Sequence, residues 1–204
     1  MYTAFVFALV FIGGFAVMSI EMLGGRILAP YFGSSIYVWG SIISVFMLSL
    51  SLGYLLGGKL STLNPSLRRF GIVFVICALS CLPMVLGAEV FMEWVFARVY
   101  DVRYGSLLAA MGLFFLPTTA MGIISPYAIR LLVMATEHSG HVAGKLYFTS
   151  TAGSALGVLL TSFYLVLWFE VNTIFLALAS VLAAAGVSAI CLPARQAVRV
   201  LETS

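Results

Sequence analysis

Glu21 and Arg26 are the residues of this chain best placed to do chemistry. They close the first long apolar run, in the segment Glu21-Met-Leu-Gly-Gly-Arg26. Ionisable side chains at membrane depth are costly and tend to mark ligand or ion paths. Five residues apart, the two do not share a helix face unless Gly24-Gly25 breaks the helix and lets them pair. The plain alternative is an interfacial glutamate and an arginine that snorkels to the headgroups. Arg130, which follows Pro126-Tyr127, is a second cation of interest; a positive anchor at the membrane edge is the simpler reading. Tyr37, Trp39 and Tyr127, with Tyr147, have the side chains that cage organic cations. They are equally placed as belt aromatics at the bilayer interfaces.

Other chemistries are poorly provided for. Glu137-His138-Ser-Gly-His141 is the one cluster with metal-ligand residue types. It offers three ligands at most where a closed site takes about four, so it reads as a polar loop and no metal is expected. Cys77, Cys81 and Cys191 read as small buried hydrophobes. No phosphate-binding glycine loop, nucleophile elbow or His-Glu-x-x-His is present, and Asp101 is the only aspartate. No cofactor is expected, and the chain alone is not expected to catalyse group transfer from a nucleoside cofactor.

The elements that must position these residues are membrane helices. The chain is 63% hydrophobic and only 8% charged, with mean hydropathy +1.16; a soluble domain is about a quarter charged. Crossing the hydrocarbon takes about 20 apolar residues. Runs of that kind fall at 4–25, 36–57, 70–88, 105–125, 146–168 and 171–192. They do not alternate as membrane strands would. The expected fold is therefore an all-α bundle of six spans, a transmembrane domain over 1–193, with a short tail at 194–204. The run 88–100 carries Glu89, Glu93 and Arg98 and reads as a short interfacial helix. The first nineteen residues lack a basic start, so they read as a retained helix rather than a signal peptide. Pro117-Thr118-Thr119 is a hinge candidate within the fourth span.

Orientation follows the basic loops. Lys59, Arg68, Arg69, Arg130, Lys145, Arg195 and Arg199 fall on one side if both termini are cytoplasmic, leaving Arg26, Arg98 and Arg103 on the other. The formal charge of +3 follows this topology and points to no nucleic acid. Short pieces recur in order: Ala29-Pro30-Tyr31 and Ser125-Pro126-Tyr127 after the first and fourth spans, Gly53-x-x-x-Gly57 and Gly153-x-x-x-Gly157 in the second and fifth. Units of about 4–100 and 105–192, with three spans each, must lie inverted to one another, the repeat pattern of secondary transporters. The glycine pairs let helix backbones approach closely, either within the chain or at the seam of a homodimer.

Residues 21–33, Glu21-Met-Leu-Gly-Gly-Arg-Ile-Leu-Ala-Pro-Tyr-Phe-Gly33, then Val38-Trp39-Gly40 and Leu52-Gly53-Tyr54-Leu55-Leu56-Gly57-Gly58 resemble the membrane part of the spermidine-synthase-like membrane proteins, described as fused major-facilitator/spermidine-synthase proteins. Gly122-Ile-Ile-Ser-Pro-Tyr-Ala-Ile-Arg130 and the segment Gly144–Gly157 fit the same pattern; the resemblance covers roughly residues 10–165. The loop Gly57–Gly71 is also similar to the second-to-third helix loop of major-facilitator transporters, without its usual aspartate. The resemblance implies half of a facilitator fold, completed by a second copy. It also implies a soluble aminopropyltransferase-like domain after the membrane part: either that domain is a separate cytoplasmic partner polypeptide, or the chain is a piece of a longer protein, or the membrane module works alone.

Three functions are in contention. The first is an inner-membrane module that handles a polyamine-like cation or a related small metabolite together with a cytoplasmic aminopropyltransferase-like partner, with Glu21 attracting the cation and Tyr37, Trp39 and Tyr127 as walls. The second is an anchor that docks a soluble enzyme through 130–145 and the tail. The third is an enzyme built on Glu21, Arg26 and Arg130, which has the thinnest inventory.

Overall fold

A computed structural model describes residues 2–133 and 139–192. Glu137 and His138 of the polar cluster, and the tail, lie outside the described residues. Among the described residues nine helical segments make six spans: α1 (Tyr2–Phe32), α2 (Ile36–Ser61), α3 (Leu67–Arg98), α4 (Val102–Gly122) with α5 (Ile124–Leu132), α6 (Ser139–Leu160) running through a π-helical turn (Thr161–Leu165) into α7 (Val166–Trp168), and α8 (Val171–Cys191). By length and composition all six can cross a membrane, so the chain is a polytopic membrane protein. No sheet occurs among the described residues. This is the only architecture besides a closed barrel that satisfies every backbone group in lipid.

Local chemistry sets the helix ends outside the apolar runs. Ser66 caps α3 by accepting from the Arg69 N–H at 3.3 Å. Asp101 caps α4 by accepting from the Arg103 N–H at 2.9 Å, the role short polar side chains play at helix starts. Gly33 carries the turn after α1 with φ +74°, a conformation only glycine adopts without strain.

The most extensively packed pairs are α1 with α6, α2 with α4, and α3 with α8. Glycine makes each seam. A Cβ at Gly53 would press on the Thr119 carbonyl and the Gly122 backbone, and one at Gly57 on Ile123 and Pro126. Gly153 and Gly157 meet the backbone of Phe11 and Phe15, and Gly71 meets Gly186. In the first two seams numbering rises along both helices, so each pair is parallel; α3 and α8 are antiparallel. The spans therefore alternate in direction, and α1 begins at the end where α8 finishes.

The two ends differ in charge. Lys59, Arg68, Arg69, Arg130 and Lys145 lie at the end where α1 begins, which holds no carboxylate among the described residues; Glu21, Glu89, Glu93, Asp101 and Glu170 lie toward the other. We call these the basic and the acidic end.

One expectation about helix continuity is corrected, one open alternative is decided, and the break in the fourth span is located. The segment 88–100 is not a separate interfacial helix, because α3 runs unbroken to Arg98. Ala88, Met92 and Val95 extend its buried stripe, while Glu89 and Glu93 stay on the exposed face. Gly24-Gly25 does not break α1; the pair makes room for Phe114 and Trp39, which a Cβ at Gly24 or Gly25 would meet at 3.1 and 2.9 Å. Nor is Pro117 the interruption in the fourth span. The helix passes through it and breaks at Ile123, beside the close approach of Gly53 to Gly122.

Candidate functional site

A cleft of about 200 Å³ opens between α1, α2, α5 and α6, from the middle of the bundle toward its basic end. Glycine builds its floor: Gly13 and Gly14 leave α1 without side chains there, and the Ser154 hydroxyl donates to the Gly14 carbonyl at 3.2 Å. Its walls carry hydroxyls. Tyr147, Ser150, Thr151 and Ser154 come from α6, Tyr54 from α2 and Ser125 from α5. Positions 147, 150, 151 and 154 recur at helical spacing, so α6 presents one continuous hydroxyl face. Hydroxyls both donate and accept, so the cleft can hold a neutral or cationic polar group without itself supplying charge.

Glu21 stands on the same side of α1. Positions 14, 18, 21 and 25 form one stripe of that helix. Gly14 and Met18 line the cleft, and Gly25 meets Trp39 of α2. Glu21 is half-buried on this stripe and makes no ion pair or hydrogen bond among the described residues. It is one turn beyond the cleft, toward the acidic end.

The other expected residues are dispersed. Arg26 is exposed and lines a second cavity at the acidic end with Glu89 and Glu170. Tyr37 is about half exposed, with the Arg103 guanidinium 5.8 Å from its ring centre. Tyr127 is buried. It stacks on Phe70 at 5.6 Å with the rings nearly parallel, and its hydroxyl accepts from the Ser66 N–H at 3.2 Å. It therefore ties α5 to the start of α3 and is no wall of the hydroxyl cleft. Arg130 lies exposed near it at the basic end. Among the described residues Glu21 and Arg26 stay unpaired on an intact helix, and Arg130 lies toward the opposite end of the bundle from Glu21. The structure places Glu21 one turn beyond the cleft, with Trp39 against Gly25 a further turn on, and separates the rest.

The four glycines Gly53, Gly57, Gly153 and Gly157 all face neighbours inside the chain. Any seam with a second copy therefore uses other surfaces. Among the described residues no three His, Cys, Asp or Glu side chains gather where they could hold a metal.

Two features carry little sequence signal. The π-helical turn 161–165 leaves the Thr161 hydroxyl fully buried without a hydrogen-bond partner. The acidic-end cavity draws on residues far apart in the chain. The hydroxyl face of α6, in contrast, is legible as Tyr147-Phe-Thr-Ser-Thr151 and Ser154.

At the acidic end, the Arg103 side chain and backbone N–H hold the Asp101 carboxyl below its ordinary range. They form the one ion pair among the described residues, at 3.1 Å.

The chain matches no protein-family model, no curated protein and no solved structure.

Proposed function

We propose that this chain is an inner-membrane module that binds a small, polyamine-like organic cation in the hydroxyl-lined cleft, with Glu21 as the counter-charge. The observation that carries this reading is the placement of a half-buried, unpaired carboxylate on the α1 stripe that lines the cleft. A carboxylate at this depth is costly unless it meets water, a cation or a polar partner. Tyr54 and Tyr147 supply aromatic faces of the kind that attract ammonium groups; they replace Tyr37 and Tyr127 in the expected role.

The helix pairing supports two related halves. Exchanging the first three spans for the last three turns the α1–α6 pair into the α4–α2 pair and returns α3–α8 to itself. Inverted repeats of secondary transporters place their sites at the repeat interface. At about 200 Å³ the cleft is smaller than the 300–1,000 Å³ usual for ligand sites, so we infer that a second copy, facing it across α2 and α6, completes the enclosure. The basic end is the cytoplasmic one on charge grounds. An aminopropyltransferase-like partner would dock there.

The test is binding of radiolabelled spermidine and putrescine to the chain in proteoliposomes. Glu21→Gln should lower affinity at least tenfold, and Gly87→Ala, on an open face of α3, should not. Unchanged binding in Glu21→Gln would remove the cation reading. The small cavity and the glycine-sealed seams favour a second reading, an anchor without a ligand path. It predicts no polyamine binding by either protein and retention of a soluble enzyme at the membrane.

A further inference from the structure

A cavity of about 440 Å³ at the acidic end lies between the end of α1, α3 and the turn that joins α7 to α8. Three charged side chains line it: Arg26, Glu89 and Glu170, with Asn172 beside them. None pairs with another, since the one ion pair among the described residues is Arg103 with Asp101. One cation and two anions thus converge on a shared space without neutralising each other. That pattern complements a ligand carrying an anionic and a cationic group a few atoms apart.

The depth of the cavity narrows the choice. Arg26 lies 24 residues after Tyr2, or about 36 Å along the helix at 1.5 Å per residue. The hydrocarbon core is about 30 Å thick, so this places the guanidinium at headgroup level. Glu89, 22 residues after Leu67, reaches about 33 Å along α3 by the same rise. Apolar side chains continue from the rim: Ile27 and Val171 line the cavity, and Leu86, Val90 and Trp168 stand exposed nearby.

We propose that this cavity takes a phosphoethanolamine group, with the phosphate on Arg26 and the ammonium between Glu89 and Glu170. A guanidinium binds phosphate through two parallel N–H bonds. A primary ammonium has three N–H donors for the carboxylates and the Asn172 side-chain oxygen. A quaternary ammonium has none, so a phosphocholine group loses those bonds. An uncharged glycerol leaves both carboxylates without a cation. The site is separate from the hydroxyl cleft and does not depend on the reading given to it.

The test measures binding to the full chain in neutral detergent, by native mass spectrometry and thermal unfolding. The probes are dioctanoyl phosphatidylethanolamine, phosphatidylcholine and phosphatidylglycerol, and soluble O-phosphoethanolamine. The ethanolamine lipid should bind at least tenfold tighter than the other two lipids. Arg26→Gln should weaken all three lipids alike, and the double variant Glu89→Gln with Glu170→Gln should erase that preference. All three residues are exposed, so the variants should keep the parent's unliganded melting temperature. Equal binding of the three lipids, undiminished binding in Arg26→Gln, or a preference that survives the double variant overturns the proposal. Soluble O-phosphoethanolamine that binds as tightly as the ethanolamine lipid assigns the site to a free aminophosphate; much weaker binding assigns it to the bilayer. Glu21→Gln serves as control and should leave the preference unchanged.

Discussion

Gly53→Ala tests whether the bundle is held by backbone contact between helices. The added Cβ would point at the Thr119 carbonyl and lie 2.7 Å from the Gly122 Cα. Neither is the flexible end of a side chain that can rotate away. Ordinary contact begins at 3.4 Å and the Thr119 oxygen is nearer than the Gly122 Cα, so α2 and α4 must part by about 1 Å. A gap of that size forfeits roughly a quarter to a half of each dispersion contact along the seam. Overpacking of this kind costs about 1–3 kcal/mol, and with backbone on both sides we expect about 3. That is roughly a hundredfold in the unfolding equilibrium. Gly153→Ala, against the Phe11 backbone in the α1–α6 seam, should cost the same. The two seams share no partner, so the double variant should lose about 6 kcal/mol, a large part of the 5–15 kcal/mol typical of a folded domain. The control is Gly87→Ala in α3, where a Cβ meets nothing within 4 Å; it should gain up to about 1 kcal/mol from helix propensity. The assay is reversible unfolding in mixed micelles of increasing dodecyl sulfate fraction, followed by tryptophan fluorescence. Gly53→Ala unfolding with the parent, or Gly87→Ala losing as much as Gly53→Ala, would refute the reasoning.

Three further outcomes follow from particular contacts. Tyr127→Phe keeps the stack on Phe70 but loses the hydroxyl shared with Ser66, and should cost about 1 kcal/mol in the same unfolding assay; Tyr127→Ala should cost about 3–5. A maleimide counted by mass spectrometry should label Cys191 alone in the folded protein and all three cysteines after denaturation, because Cys77 and Cys81 are buried and Cys191 is exposed. Asp101 has a carboxyl pKa below its ordinary value in the folded chain. Its contribution to the start of α4 is therefore complete above about pH 4, the ordinary aspartate value, and is lost as pH falls through the depressed one. Hydrogen exchange at the Arg103 amide should quicken over that interval after correction for the intrinsic pH dependence, and Asp101→Ala should abolish the transition.

The six spans were legible because lipid demands long apolar runs, and composition alone supplies that signal. The limits of α3 were not. Glu89 and Glu93 look like the end of a span when counted as charges. Counted by face they are one exposed edge of a helix whose buried stripe continues through Ala88, Met92 and Val95. Gly24-Gly25 left a break open for a similar reason, since glycine permits a bend and permits close approach. Only the presence of Phe114 and Trp39 on either side decides between them. The hydroxyl cleft was half visible, as the spacing of Tyr147, Ser150 and Ser154. Its other walls, Tyr54 and Ser125, needed the packing of α2 and α5 against α1. The acidic-end cavity needed residues 26, 89 and 170 brought together, which no local pattern encodes.

On the proposed reading, the face of the bundle that carries the cleft cannot be turned to lipid alone. Only 17% of the α6 span is buried inside the chain, against 39–56% for the other five. A helix left that bare is normally apolar around the exposed part. Here the exposed part includes Tyr147, Thr151, Ser162 and Tyr164, and Glu21 stands half-exposed on the adjoining stripe of α1. Hydroxyls can turn back to their own helix, as Thr149 does to the Lys145 carbonyl at 2.9 Å, but a carboxylate has no hydrogen to donate and cannot be satisfied that way. While it is ionised, Glu21 must meet water, a cation or a polar group beyond the described residues. A second copy set across α2 and α6 would supply an enclosed, wettable space for it. Crosslinks between cysteines introduced at Met47, two turns before Tyr54, and Ala155, one turn after Thr151, both exposed beside that face, should form between two chains in membranes. Their absence, with the singly substituted chains folded, would leave Glu21 facing a different partner.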